Sequence, residues 1–256
     1  MNIKNIKFKG SSLTPFLDPD DEYEYVTLFI FLQLFNCYPL FIPRTGSSSI
    51  KTQISRLITR LIDSELISIN EYLMFDEESL FDYIDKNNTH LFSVVRNPYT
   101  RLFSAVYKTM GKESLKNSES FMGVLNQINF TNNDLGLIPD VFIPQHDFLF
   151  CEDVLVPNTI LRFETIFDDF KKLWVDVIKP KMVIPDNPLL NQAIDAQGGF
   201  KNLCHIEMTP IIRDDNVFYT EEVKKFIQKF YKDDIILYED GTLDMSYDFS
   251  KEGILR

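Results

Sequence analysis

Apolar residues along the chain form short continuous runs that alternate with stretches of helical spacing. Runs with the length and composition of buried strands cover residues 39–43, 89–95 and 158–163. Each run is followed by apolar positions three and four residues apart, which predict helices beginning near Ser48, Asn97 and Thr165. The clearest helical pattern covers residues 220–231. Strands that alternate with helices predict an α/β fold with a mainly parallel sheet and helices on both faces.

The longest apolar stretch, residues 26–43, approaches the length of a membrane span. Polar residues and a proline interrupt it, which favours two buried segments broken near residues 36–39 over a membrane anchor. Residues 1–25 are polar and punctuated by Gly and Pro, so we predict an irregular lead-in there. No linker divides the remainder, and we predict a single domain over residues 1–256.

Composition narrows the class of protein. The chain has 45% hydrophobic and 14% aromatic residues, which is typical of a folded domain. Its net charge of −12 disfavours a nucleic-acid partner, because phosphates would be repelled. The three cysteines are widely spaced, with no Cys-x-x-Cys, so we expect no metal site. The amino terminus lacks the apolar core of a signal peptide, and we expect a cytoplasmic protein.

The first candidate site is the sequence Pro-Arg-Thr-Gly-Ser-Ser-Ser at residues 43–49, between a predicted strand and a predicted helix. Gly46 allows close approach of the backbone to a ligand, and the helix that follows offers free N–H groups to an anion. Hydroxyl groups are supplied by Thr45, Ser47, Ser48 and Ser49. The alternative is a serine-rich turn that only caps a helix. The Walker A sequence is absent, which disfavours hydrolysis of a nucleoside triphosphate.

The second candidate site is the segment Val-Val-Arg-Asn-Pro-Tyr-Thr-Arg-Leu-Phe-Ser-Ala-Val-Tyr at residues 94–107. Arg96 leaves the carboxyl end of a predicted strand, where ligands bind in open α/β sheets. Asn97 and Pro98 suit the start of a helix. One face of that helix carries Asn97, Arg101, Ser104 and Lys108. Arg96 and a hydroxyl from this helix could hold a phosphate. The alternative is a solvated basic face.

Taken together, the two segments resemble the PAPS-dependent sulfotransferases, in particular the Golgi carbohydrate-type family and its bacterial relatives. PAPS is 3′-phosphoadenosine 5′-phosphosulfate. Residues 143–149, 161–164, 203–209, 219–222 and 230–234 are also similar to family segments. The resemblance implies a P-loop-like three-layer α/β/α sandwich with a short, mainly parallel sheet. It also implies transfer of a sulfuryl group from PAPS to a hydroxyl, with a saccharide as the expected acceptor and no metal.

The resemblance assigns roles to particular residues. The loop from Arg44 through Thr45, Gly46, Ser47 and Ser48 to Ser49 would hold the 5′-phosphosulfate. Arg96 and Ser104 keep the family spacing of eight residues and would bind the 3′-phosphate. His205 matches a position in a closing loop that borders the nucleotide.

Three departures from the family bear on activity. Arg44 stands where this branch usually has Lys, and Glu207 stands where relatives often have Asn. Residues 51–89 contain no histidine, whereas relatives often have one between the two motifs that could serve as catalytic base. Some sulfotransferases use a glutamate about twenty residues after the first loop, so Glu65 and Glu71 are the candidate bases, while His90 and His146 are expected to be structural.

Two alternatives to an active sulfotransferase stay open. A catalytically silent relative would bind PAP, the desulfated nucleotide, without turnover. A kinase with the same strand–turn–helix unit would prefer ATP and require magnesium.

Overall fold

The computed structural model describes residues 22–75, 77–110, 117–128, 139–151, 154–181 and 218–239. Helices and strands alternate through much of this part of the chain. The elements are α1 (Glu22–Phe35), β1 (Cys37–Leu40), α2 (Ser47–Asp63), α3 (Glu77–Lys86), β2 (His90–Val95), α4 (Pro98–Met110), α5 (Ser118–Gln127), α6 (Gln145–Leu149), β3 (Phe150–Cys151), β4 (Val154–Leu155), β5 (Thr159–Arg162), α7 (Ile166–Leu173), α8 (Glu221–Phe230) and α9 (Lys232–Glu239).

Strands β1, β2 and β5 form a parallel sheet with β2 at its centre, and β3 and β4 form a separate antiparallel pair. In the register of the parallel sheet, Leu40 pairs with Ser93 and Val95 pairs with Arg162. The mixed α/β fold with a short parallel sheet is therefore confirmed. The carboxyl ends of the three strands meet at one edge, and both candidate segments begin there.

The first strand lies earlier than the predicted run at residues 39–43. Asn36 adopts a left-handed conformation, with φ 45°, and separates α1 from β1. Pro39 lies inside β1, which is tolerated because β1 is an edge strand and the missing N–H need not join a ladder. The break expected near residues 36–39 is therefore present, but the strand begins directly after it. Helix α1 begins at Glu22, within the stretch predicted to be an irregular lead-in.

Buried side chains form one hydrophobic cluster on each face of the sheet. Val94 and Leu161 belong to the first cluster, whereas their neighbours Val95 and Ile160 belong to the second. Successive side chains of a strand point to opposite faces, so the two clusters lie on opposite sides. The first is covered by α1, α2, α3 and α7, and the second by α4, α5, α6, α8 and α9. Helices therefore cover both faces, as predicted.

Helix α1 packs its apolar residues on several sides rather than along one stripe. Leu28, Phe29, Ile30, Phe31 and Leu32 are consecutive, and each is buried. A helix buried all round has no amphipathic pattern, which explains why the sequence predicted a buried segment there but not a helix. Among the described residues, no helix combines the length and apolar character needed to cross a membrane.

Candidate functional site

The turn between β1 and α2 carries two residues in left-handed conformations. Arg44 has φ 68° and Gly46 has φ 95°, while Thr45 between them does not have a positive φ. Alternation of this kind directs successive backbone N–H groups to one side, where an anion can bind. A Cβ atom on Gly46 would lie 2.8 Å from Cδ2 of Phe163. Both the backbone conformation and the packing therefore require glycine at this position.

Two hydroxyl groups of the loop face inward, which differs from the sequence expectation that they bind a ligand. Thr45 Oγ1 and Ser47 Oγ both donate to the carbonyl oxygen of Ile42. These two hydrogen bonds stabilise the turn, so the hydroxyl groups do not point outward. Ser49 is also buried, whereas Ser48 is exposed. The N–H of Ser49 donates to the carbonyl oxygen of Gly46 over 2.9 Å, so the candidate donors for an anion are the N–H groups before Ser49 and the exposed hydroxyl of Ser48.

The second segment has the local structure that its sequence predicts. Oδ1 of Asn97 accepts a hydrogen bond from the N–H of Tyr99 over 3.0 Å and thereby caps α4. Arg96 directly follows β2 and is half-buried. Its Nε donates to Thr100 Oγ1 over 3.0 Å, and its guanidinium lies 4.4 Å above the ring of Phe163. The same ring therefore packs against both Gly46 and Arg96.

The two segments meet through Arg44 and Ser104. Nε and Nη2 of Arg44 donate to Ser104 Oγ over 3.1 and 2.8 Å. Arg96 joins the same group, since its Nη1 donates to the carbonyl oxygen of Arg44 over 3.3 Å. The sequence predicted that Ser104 acts together with Arg96. In the structure, the Ser104 hydroxyl accepts from Arg44 instead, and Arg96 donates to the backbone of Arg44.

Arg101 is a third arginine of this site, and sequence reasoning did not identify its place. Its side chain is 1% exposed, its Nε donates to the carbonyl oxygen of Pro43 over 3.0 Å, and its Nη2 has no hydrogen-bond partner. The alternative of a solvated basic face is therefore wrong for Arg101 and Ser104, although Lys108 on that face is exposed. The sequence feature that could have indicated a place for Arg101 in the site is its position three residues before Ser104, on the same helix face.

The three arginines repel one another. Burial lowers the pKa of Arg96, the carboxylate of Glu164 opposes this effect, and the positive charges of Arg44 and Arg101 lower the pKa further. Burial also lowers the pKa of Arg101, and the charge of Arg44 adds to that effect. Positive charges gathered at one edge of the sheet create a local potential that attracts anions.

The structure does not bring the two predicted catalytic bases to this edge. Glu65 follows the carboxyl end of α2, and a helix of 17 residues is about 25 Å long, so this helix separates Glu65 from the loop at its other end. Glu71 belongs to a short helical turn, Ile69–Glu71. The carbonyl oxygen of Leu73, two residues further on, accepts a hydrogen bond from Gln33. Gln33 lies near the carboxyl end of α1, which leads into the start of β1 and therefore into the edge of the sheet opposite the loop. Both glutamates are exposed.

A carboxylate that does lie at this edge is Glu164, two residues after β5. It accepts a hydrogen bond from the N–H of Asn97 over 3.0 Å. Sequence reasoning noted Glu164 only as part of a family segment, although its place after a strand matches that of Arg96.

The histidines within the described residues have structural contacts. His90 lies at the start of β2, its Nε2 is 2.9 Å from Thr159 Oγ1, and burial lowers its pKa to about 4. His146 stacks on Phe150, with 4.3 Å between the ring centroids. These contacts agree with the expectation that His90 and His146 are structural.

His205 and Glu207 lie outside the described residues. Within the part of the chain that the structure describes, no group of three or more His, Cys, Asp or Glu side chains is arranged to hold a metal ion. No protein-family model matches the chain, and comparisons with curated proteins and with solved structures likewise found no match.

Proposed function

We propose that the protein is a PAPS-dependent sulfotransferase that transfers a sulfuryl group to a hydroxyl, with a carbohydrate as the expected acceptor. The observation that supports this most directly is the convergence of Arg44, Arg96 and Arg101 on one loop rich in backbone N–H groups. Like charges held together repel each other, so an anion with several negative charges would stabilise the arrangement. PAPS carries its negative charges on the 5′-phosphosulfate and on the 3′-phosphate. The site likewise offers two sets of donors, one in the loop after β1 and one at Arg96 and Ser104.

In this proposal each set of donors holds one end of the nucleotide. The N–H groups from Arg44 to Ser48 bind the 5′-phosphosulfate, since the N–H of Ser49 already donates to Gly46, and Arg96 with Ser104 binds the 3′-phosphate. When bound, PAPS supplies the sulfuryl group and leaves as PAP. The chain contributes positioning and preorganised positive charge, and Arg44 places its guanidinium beside the loop for this purpose. The net charge of −12 does not oppose binding, because the local potential is positive.

The finer features of the fold belong to the same proposal. A strand, a turn with left-handed residues and a helix that begins at the turn are the parts of a P-loop-like unit. Helices on both faces of the short sheet are compatible with a three-layer α/β/α sandwich. We include both features in the proposal.

Calorimetric titration with PAP, ADP and ATP tests the cofactor. We expect tight binding of PAP and weak binding of ADP and ATP. Arg96→Ala removes a charged contact to phosphate and should weaken PAP binding by about 2–3 kcal/mol, which is about thirty- to a hundredfold. Lys108→Ala is the matched control, because Lys108 is an exposed cation on the same helix. Absence of PAP binding, or equal binding of ADP and ATP, would contradict the proposal.

A second candidate function is a binding module that holds PAP without turnover. The positions of Glu65 and Glu71 favour it, because neither predicted base lies at the loop. Arg44 also favours it, since Arg donates a proton less readily than Lys. Incubation with PAPS labelled in the sulfate group and a panel of saccharides separates the two functions. Labelled saccharide would support the enzyme, whereas PAP binding without labelled product would support the module.

A further inference from the structure

Asp234, in helix α9, is a fully buried carboxylate that the proposed mechanism does not use. It accepts hydrogen bonds from the backbone N–H groups of Gln145 and His146 over 2.9 and 2.8 Å. Burial raises the pKa of Asp234, while Arg101 and these N–H donors lower it. An acid this deeply buried has to be compensated by such partners, because an isolated charge in the interior is strongly unfavourable.

The side chain of Gln145 connects Asp234 to Arg96. Its Oε1 accepts a hydrogen bond from the N–H of Arg96 over 2.8 Å, and its Nε2 donates to the carbonyl oxygen of Arg96 over 2.8 Å. The same Nε2 lies 3.5 Å from Oδ2 of Asp234. Gln145 is 1% exposed, so solvent does not compete for these contacts. The backbone of Arg96 is thus held on both sides where β2 ends.

Arg101 connects the same carboxylate to the first segment. Attraction from Asp234 opposes the lowering of the Arg101 pKa by burial. Nε of Arg101 donates to the carbonyl oxygen of Pro43, directly before the loop. Asp234 is therefore joined to Arg96 by contacts through Gln145, whereas Arg101, which holds the carbonyl oxygen of Pro43, is linked to Asp234 by charge attraction only.

We infer that Asp234, Gln145 and Arg101 are positioning residues that set the distance between the two anion-binding segments, and that α9 is a necessary part of the site. The identity of the bound nucleotide rests on the proposed function, whereas the positioning role rests on the contacts described above. Gln145 controls the Arg96 side and Arg101 controls the loop side. Loss of Gln145 should therefore weaken recognition of the 3′-phosphate selectively, whereas loss of Arg101 should weaken binding of the whole nucleotide.

A residue that only fills the core would behave differently from Gln145. Its loss would lower stability and the fraction of folded protein, which reduces the binding of all ligands together. The matched ligand pair is PAP and AMP, which differ only in the 3′-phosphate. Gln145→Met keeps the approximate volume of the side chain and removes its hydrogen bonds to Arg96. Asp234→Asn keeps the shape and removes the charge.

The experiment combines amide hydrogen exchange with calorimetry on the full chain. In Gln145→Met the N–H of Arg96 loses its acceptor, and a hydrogen bond is worth about a factor of ten, so we expect this N–H to exchange about tenfold faster. We also expect PAP affinity to fall about tenfold, with AMP affinity unchanged. Asp234→Asn should accelerate exchange at Gln145, His146 and Arg96. Gln127→Met in α5 and Asp233→Asn in α9 are controls, because both side chains are exposed.

The outcomes separate this inference from the proposed function. Unchanged exchange at Arg96 in both variants overturns the positioning role, whatever the ligand. Equal losses of PAP and AMP affinity in Gln145→Met also overturn it, because they indicate a general structural defect. If the unmodified protein does not bind PAP, the proposed function fails. Faster exchange at Arg96 in the two variants, absent from the controls, then still supports the positioning role.

Discussion

The guanidinium of Arg44 donates two hydrogen bonds to the hydroxyl of Ser104, although the two residues are sixty positions apart in the chain. This contact joins the loop after β1 to the helix after β2. Ser104 is 3% exposed, so its hydroxyl has few other partners within reach. Its removal would affect both segments of the candidate site.

Ser104→Ala should weaken PAP binding about tenfold, because Arg44 loses its acceptor and the proposed 3′-phosphate contact loses a hydroxyl. Titration calorimetry with PAP measures the change. Thr109→Ala is a control on the same helix, since the Thr109 hydroxyl bonds only within its own helix, to the carbonyl oxygen of Ala105. Equal affinity of Ser104→Ala and the unmodified protein would show that the contact does not contribute to binding.

Gly46→Ala should lower the free energy of unfolding by about 1–3 kcal/mol and weaken PAP binding. The new Cβ would meet the ring of Phe163 at 2.8 Å, and φ 95° is unfavourable for alanine. Urea denaturation measures the first effect and calorimetry the second.

Gly123→Ala is the matched control for this substitution. It lies within α5 with no atom within 4 Å of the added Cβ, so the variant should be slightly more stable than the unmodified protein. Equal stability of the two alanine variants would contradict the conformation described for the loop.

Glu65→Gln and Glu71→Gln should each leave the rate of sulfate transfer within about twofold of the unmodified protein. Both side chains are exposed, and α2 separates Glu65 from the loop. Initial rates with a saccharide acceptor identified in the labelling screen provide the measurement. A loss of a hundredfold or more, typical of a removed general base, would restore one of these residues as the catalytic base.

His90 should make the protein less stable in mild acid. Its pKa is about 4 in the folded protein against an ordinary 6.5, because burial disfavours the charged ring. The unfolded chain therefore binds the proton first as the pH falls, and stability decreases from about pH 6.5 down to about pH 4.

His90→Gln should reduce this decrease by about 1–2 kcal/mol, after allowance for the part of the ring that solvent reaches. Urea denaturation of both proteins at pH 7.5 and pH 4.5 tests the prediction. An equal loss of stability in the two proteins would contradict the buried neutral state of His90.

Local sequence was sufficient to predict the parts of the candidate site that depend on near neighbours. A buried run followed by Gly46 and serines predicts a strand, a turn and a helix, and these are present. Asn97 and Pro98 predict the start of α4, and the Asn97 cap is present. Each feature depends on backbone conformation and hydrogen bonds within about four residues, which the order of residues already determines.

Contacts between distant residues could not be predicted in this way. The sequence identified Arg101 as part of a polar helix face, yet Arg101 is buried. Its hydrogen bond to Pro43 and its attraction to Asp234 come from distant parts of the chain, and the spacing of residues along one helix does not show that these parts lie close to it. The inward hydroxyl of Thr45 also depends on how the turn closes on Ile42.

The sequence by itself predicted an α/β chain with two candidate anion-binding segments, each directly after a predicted strand, since hydrophobic period and capping chemistry are local. Only the tertiary structure decided which side chains meet there. It brought Arg44 to Ser104, buried Asp234 against the N–H groups of Gln145 and His146, and left Glu65 at the far end of α2. The physical reason is that the burial and pairing of a charged group depend on the partner that packing brings to it, and that partner can lie anywhere in the chain.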